Sequence, residues 1–235
     1  MAEWHIIVPK ASLNLVRDPV FRFGVPSIGE FVPVDVPQED ANALIHFYNL
    51  TDGDNWTNNT GWLVDTTVGN WFGVTVTDGR VTGLDLSSDT AVYGDIGDWI
   101  MPEMMDSLSL ERTSVHGDIS EWVLGKWMRI FNLSFTGIFG YADISACVGI
   151  EIINVSDCGL DQPDVDKWIQ SVYNNRMNFE HPTPRLNAGG TNAAPSGTYQ
   201  AACPPDVGQE QAYELENDSC GDGFIVWGVD FTGHP

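Results

Sequence analysis

The sequence predicts an α/β solenoid: about four to five short parallel strands stacked side by side, with a helical amino-terminal cap, an α+β carboxy-terminal cap and an extended amino-terminal arm. Three observations lead there. An apolar pattern recurs at nearly constant spacing through the middle of the chain; helical periodicity flanks it on both sides; and residues 1–36 break into short extended runs punctuated by proline. The chain has 235 residues, 43% of them hydrophobic, with 24 Gly and 13 Pro. That is long enough to bury a core and too apolar for a disordered segment.

Val81-Thr-Gly-Leu84-Asp-Leu86 aligns with Met105-Asp-Ser-Leu108-Ser-Leu110, Met128-Arg-Ile-Phe131-Asn-Leu133 and Ile150-Glu-Ile-Ile153-Asn-Val155. The first apolar column steps through 81, 105, 128 and 150, spacings of 24, 23 and 22. Thr113, Thr136 and Cys158 follow the last strand position, then Val115, Ile138 and Leu160. Gly94-Asp-Ile96 and Gly117-Asp-Ile119 recur as well, trailed by Trp99 and Trp122. A stretch with period two points alternate side chains inward and outward, and one such strand cannot bury its apolar face alone. Stacked copies share a core. Cys158 is thereby a ladder residue, equivalent to the two threonines, where the backbone turns away from the strand.

These residues resemble the leucine-rich repeat family, whose pattern is LxxLxLxxN/C. Within it they look like the plant-type, or extracellular, subtype, whose convex side carries a G-x-I element; Gly97 and Ser120 stand where a proline often follows. Ala43–Tyr48, Thr51-Asp-Gly53-Asp-Asn-Trp56, Gly61-Trp62 and Trp71-Phe-Gly73-Val74 resemble the amino-terminal cap of such proteins. Plant versions pin that cap with a cysteine pair, and here no cysteine precedes Cys147, so the cap is expected to lean on its tryptophans. The resemblance covers roughly residues 37–163 and implies the organisation 1–36 arm, 37–80 cap, 81–163 repeats and 164–235 carboxy-terminal cap.

In chain order, Ile6-Ile7-Val8-Pro9, Asn14-Leu-Val16 and Phe31–Pro37 are extended runs interrupted by Pro9, Pro19, Pro26 and Pro33, which cannot donate to a ladder. This arm packs on the cap or docks on another chain. Ala41, Leu44, Ile45 and Tyr48 have i, i+3, i+4, i+7 spacing and predict a helix over 38–49. Val165, Trp168, Ile169 and Val172 predict a second over 164–178, after Pro163. Pro184–Asn187 reads as a short strand, 188–198 as a loop, and Asp206 with Gln209 as a capping box opening a helix to about Glu216. Phe224–Phe231 reads as a last strand.

Charge excludes several functions. With 10 Lys+Arg against 33 Asp+Glu the formal net charge is −23, which disfavours nucleic acid and anionic lipid. No stretch approaches a membrane span, and Met1–Lys10 lacks the basic start and apolar run of a signal peptide. Cys147, Cys158, Cys203 and Cys220 form no C-x-x-C pair and read as buried free thiols. His5, His46, His116, His181 and His234 fall in no metal-binding spacing, and no nucleophile elbow or phosphate-cradling loop occurs. Asp95 with Asp98, the loop Asp52–Asn55, and Asp218 with Asp222 are carboxylate pairings expected by chance in so acidic a chain. The N-x-[ST] positions Asn49, Asn55, Asn58, Asn132, Asn154 and Asn217 read as incidental. No catalytic residue, metal or cofactor is expected.

The repeats offer a surface instead. Its outward candidates are Asp85, Ser109, Glu111, Arg112, Asn132, Phe135, Asn154 and Asp157, a small polar face about 15–20 Å wide, given a strand spacing of roughly 4.8 Å, with one exposed aromatic. It suits a carbohydrate or a peptide loop. Met1–Pro9 and Asn14–Pro19 resemble the openings of tailed-phage structural proteins, and Asn187–Tyr199 resembles tails of bacterial and phage repeat proteins. The resemblance implies a non-enzymatic virion component, a capsid decoration or tail protein released by lysis. It would be anchored to other virion proteins or its own copies through Trp4, Ile6, Ile7, Val8, Leu15, Val16, Phe21 and Phe23, displaying the repeats to a host-surface glycan or protein. The alternative is a bacterial repeat protein that binds a protein or glycan outside any virion.

Overall fold

In a computed structural model, residues 31–224 and 226–235 are described. The expected anchor residues, Trp4 to Phe23, lie outside the described residues, as does most of the 1–36 arm. The arm's described end is tied to the cap: the Val34 amide donates to the Thr66 carbonyl at 2.9 Å, and the Asp35 carboxylate accepts from the amides of Val68 and Gly69 at 2.7 and 2.8 Å.

Helix α1 spans Gln38–Leu50, close to its predicted bounds, with Glu39 and Asp40 at the positive end of its dipole. It buries Ala41, Leu44, Phe47 and Tyr48. Asp40 is buried too, because it grips Arg80: its carboxylate accepts from Nε and Nη2 at 2.8 and 2.9 Å and from the Val81 amide at 3.0 Å. The cap that follows is built on aromatic rings. Trp56, Trp62 and Trp71 are buried, and each indole N–H donates to a carbonyl: Thr51 at 2.8 Å, Phe72 at 2.9 Å and Asp65 at 2.8 Å.

Strand β1 (Val74–Thr77) and strand β2 (Arg80–Asp85) form an antiparallel hairpin whose two turn residues, Asp78 and Gly79, both have positive φ. The chain then alternates between two sheets. Strands β3 (Tyr93–Asp95), β5 (Ser114–Asp118) and β7 (Gly137–Phe139) form a three-stranded parallel sheet. Strands β4 (Ser107–Ser109), β6 (Ile130–Asn132) and β8 (Ile152–Asn154) join β2 in parallel, followed by β9 (Arg185–Ala188) and β10 (Gly228–Phe231). In this sheet Leu84, Leu108, Phe131, Ile153, Leu186 and Val229 are neighbours across successive strands.

The expected class, a short leucine-rich repeat solenoid of four to five parallel strands between two lids, is corrected by this topology. The main sheet has seven strands in mixed orientation, and a separate three-stranded parallel sheet stands beside it. The physical reason lies at the ends. Apolar columns identify which strands can pair but not where pairing stops, so Val74–Thr77 and Gly228–Phe231, read as parts of lids, extend the sheet instead.

Helix α2 spans Gln162–Asn175 and is capped by Asp161, whose carboxylate accepts from the Asp164 amide at 2.9 Å. It gives way to a 3₁₀ turn at Arg176–Asn178 where continuous helix is expected. Helix α3 spans Gln209–Asn217 and starts from Gly208 at φ 55, so the Asp206–Gln209 capping box does not form. Glu210 takes the Asp206 amide instead, at 3.0 Å. The last strand begins only at Gly228, four residues later than predicted. Cys203 and Cys220 are joined in a disulfide with Cα atoms 5.6 Å apart, which corrects their reading as free thiols. An aromatic series, Phe47, Trp99, Trp122, Phe131 and Trp168, runs through the core with successive centroids 4.7 to 6.4 Å apart.

Candidate binding face

The eight predicted site residues come together along β2, β4, β6 and β8 and the turns after them. Asp85 pairs in register with Ser109, Ser109 with Asn132, and Asn132 with Asn154. Asn187 of β9 continues the row. Four side chains of this row perform the same local task. Asp85 accepts from the Ser87 amide at 3.0 Å, Asn132 from Ser134 at 3.1 Å, Asn154 from Ser156 at 3.2 Å and Asn187 from Gly189 at 3.1 Å. Each is a side chain closing the turn two residues ahead. Two of the incidental N-x-S matches, at Asn132 and Asn154, are thus the signature of this turn.

The rungs are also linked sideways. Ser87 and Ser109 hydroxyls meet at 2.7 Å, Asn132 Nδ2 donates to Glu111 Oε2 at 3.1 Å, and Asn154 Nδ2 donates to Ser134 Oγ at 3.2 Å. Ser134 and Ser156 are buried. Behind them lies the Thr113–Thr136–Cys158 column. Thr113 and Thr136 hydroxyls donate to the carbonyls of Leu110 and Leu133 at 2.8 and 2.6 Å, and the Cys158 thiol lies 3.1 Å from the Leu133 carbonyl. Burial raises the proton affinity of Cys158, which suits a ladder position and not a nucleophile.

A feature the sequence does not display runs down one edge of this face. Ser88, Arg112, Phe135 and Asp157 hold left-handed backbone, with φ of 67, 56, 57 and 57°. Their amides donate to the next turn, at Glu111, Ser134, Ser156 and Gly189 respectively. The Arg112 guanidinium lies over the Phe135 ring, 4.4 Å from its centroid, and also contacts Glu111. Phe135 remains 43% exposed. Asp157, at the far end, accepts from the Thr191 amide at 3.0 Å.

The other candidates lie outside this face, and several have local partners. Asp54 accepts from the Tyr48 hydroxyl at 2.8 Å, Asp52 from Asn55, Asp95 from the Gly97 amide at 2.9 Å, and Asp218 from the Asp222 amide at 2.8 Å. His116 is set edge-on to Tyr93, with ring centroids 5.4 Å apart, and His46 is exposed on α1. Among the described residues no group of three or more His, Cys, Asp or Glu is arranged to hold a metal ion, and no helix is long and apolar enough to cross a membrane.

No family model and no curated protein matches this chain. Among solved structures, the crystal structure of a plant ice-binding protein is similar at 18% identity with a TM-score of 0.41 over 68% of this chain, which spans 57% of that chain's length. A likeness of that degree assigns no function, so the reading rests on the residues.

Proposed function

We propose that the protein is a non-enzymatic adhesion component of a phage virion that holds a host-surface glycan on the face centred on Arg112 and Phe135. One observation carries the reading. The turn geometry requires left-handed backbone, which Gly or Asn adopts most cheaply, yet two bulky side chains occupy adjacent rungs and stack on each other at the surface. Non-glycine residues there cost on the order of 1–3 kcal/mol each and mark places where strain is tolerated for use.

The chemistry suits a sugar. A pyranose ring presents an apolar face of C–H groups edged by hydroxyls; the Phe135 ring matches the first, and Glu111, Asn132 and Asp157 match the second. The surrounding hydrogen bonds hold Asn132 and Asp157 still, which serves recognition. The virion setting draws support from the resemblance of the opening segment. The Cys203–Cys220 disulfide adds to it, since such bonds persist in proteins exposed to oxidising surroundings. In this reading residues 1–36 attach the subunit to capsid or tail proteins or to its own copies.

Titration against an array of bacterial surface polysaccharides tests the face. Phe135→Ala and Arg112→Ala are expected to weaken the bound glycan by about tenfold or more, while Ser88→Ala, one rung removed, leaves binding intact. Failure to bind any glycan, or variants that bind like the parent, would reject the proposal. Deleting residues 1–30 is expected to abolish incorporation into particles with the remaining chain still folded.

A further inference from the structure

We propose that a groove on another part of the molecule, between the turn Gly97–Met105 and the turn Glu121–Met128, is a docking site for a cationic, apolar peptide segment of a partner protein. The groove has a volume of about 470 Å³ and shares no residue with the Arg112–Phe135 face. Its floor is Trp99, Trp122, Met105 and Met128, all nearly inaccessible. Ile100 and Val123 form its walls and stand 69% and 63% exposed. Ile100 and Val123, beside a hollow floored by tryptophan and methionine, give an apolar side chain of a partner a place to lie.

The hollow exists because these two turns are not joined. One step further along, the equivalent turns are: Leu124 donates to the Asp143 carbonyl and Asp143 to the Trp122 carbonyl, both at 2.8 Å, and Val123 bridges Asp143. Among the described residues no such backbone bond links Ile100 or Met101 to the Glu121 turn; the tie is the Trp122 indole, which donates to the Gly97 carbonyl at 3.0 Å. Pro102 in the first turn has no amide to contribute.

Charge selects the occupant. Asp98, Glu103 and Glu121 rim the groove, and across the Ile100–Glu103 ridge a second hollow of about 350 Å³ carries Glu39. Arg80 is clamped by Asp40 and lies 3.7 Å from Glu103, and Lys126 lies over the Trp127 ring at 4.6 Å; among the described residues Asp98 and Glu121 have no ion-pair partner. A second copy of this chain would bring a net charge of −23 and the same acids to the rim, which repels self-association there. A segment with apolar side chains for the floor and Lys or Arg for the rim satisfies both features.

The probe is a short fluorescent peptide of alternating Lys and Leu, titrated onto the full chain at physiological ionic strength beside a Lys–Ser peptide of equal charge. The Lys–Leu peptide is expected to bind the parent at least about tenfold more tightly than the Lys–Ser peptide does, and the double variant Ile100→Lys, Val123→Lys to lose about tenfold or more. Both substituted positions are exposed, so the variant is expected to melt like the parent. Equal binding of the two peptides, or unchanged binding by the double variant, overturns the proposal. So does a dimer in solution that Ile100→Lys dissolves, which would make the occupant a second copy. Phe135→Ala leaves this binding untouched if the groove is the site, so the test stands or falls independently of the glycan face.

Discussion

Two buried side chains, Tyr48 and Cys147, and the half-buried Tyr199 hold their protons harder than free groups do. Burial, reinforced by the Asp54 carboxylate that accepts its hydroxyl proton, pushes Tyr48 up to about 12. Burial and Glu216 move Tyr199 to about 12, and burial, helped by Asp143, takes the Cys147 thiol to about 12. Each is neutral when protonated, and each native value lies above the free value of 10.0 for the phenols and 9.0 for the thiol. The native state therefore keeps protons that the unfolded chain releases, and stability falls as pH rises through that interval. Urea midpoints are expected to hold below pH 9 and to drop steadily as pH climbs toward 12, and Tyr48→Phe is expected to flatten the decline. A midpoint constant to pH 12 would show that these groups are not buried as described. At this scale the sequence is only partly legible. Outward positions such as Asn132 and Asn154 follow from strand alternation, but nothing in a phenylalanine announces the left-handed backbone of Phe135 or the guanidinium above its ring. Cys203 and Cys220 show the same limit: 17 residues of separation give no hint that the chain between them turns back, through α3, to bring their Cα atoms together.

Elements were legible wherever one periodicity held without interruption. Helices α1 and α2 follow from their apolar stripes, and the register that sets Leu84, Leu108, Phe131 and Ile153 side by side follows from one repeating column. Where special backbone interrupts periodicity the pattern no longer predicts the structure, as at Gly208, whose φ of 55 replaces the expected capping box. Close approach of elements is equally hidden, and Gly94 is the sharpest instance. Strand β3 runs so near the end of α1 that a Cβ at Gly94, where φ is +155, would lie 1.9 Å from the Leu50 carbonyl oxygen. Backbone on both sides leaves no flexible atom to yield. Gly94→Ala is expected to cost roughly 3 kcal/mol or more, whereas Gly159→Ala, also at positive φ but with nothing within 4 Å, costs only about 1 kcal/mol. Denaturant unfolding of the two variants checks this contrast, and equal losses would mean that α1 and β3 do not touch as described.

For the molecule as a whole, charge is the governing quantity. Thirty-three acidic residues face ten basic ones. Of the basic residues described, Arg80, Arg112, Arg129, Lys167 and Arg176 already contact carboxylates. Surface pairs of this kind contribute about 0–1 kcal/mol each, and salt weakens them. The many carboxylates left over repel one another, and that repulsion destabilises the compact state more than the unfolded one, where the charges spread apart. Added salt acts on both terms in opposite directions. Screening lengths shrink from about 30 Å at 0.01 M to about 3 Å at 1 M ionic strength, so the long-range repulsion of the many is suppressed more completely than the short contacts of the few. The Asp40–Arg80 clamp, with its buried carboxylate, is the pair least affected. Sodium chloride is therefore expected to raise the urea midpoint continuously from low ionic strength to about 0.5 M, beyond which repulsion is already screened. A midpoint that falls with salt would show that the ion pairs outweigh the repulsion.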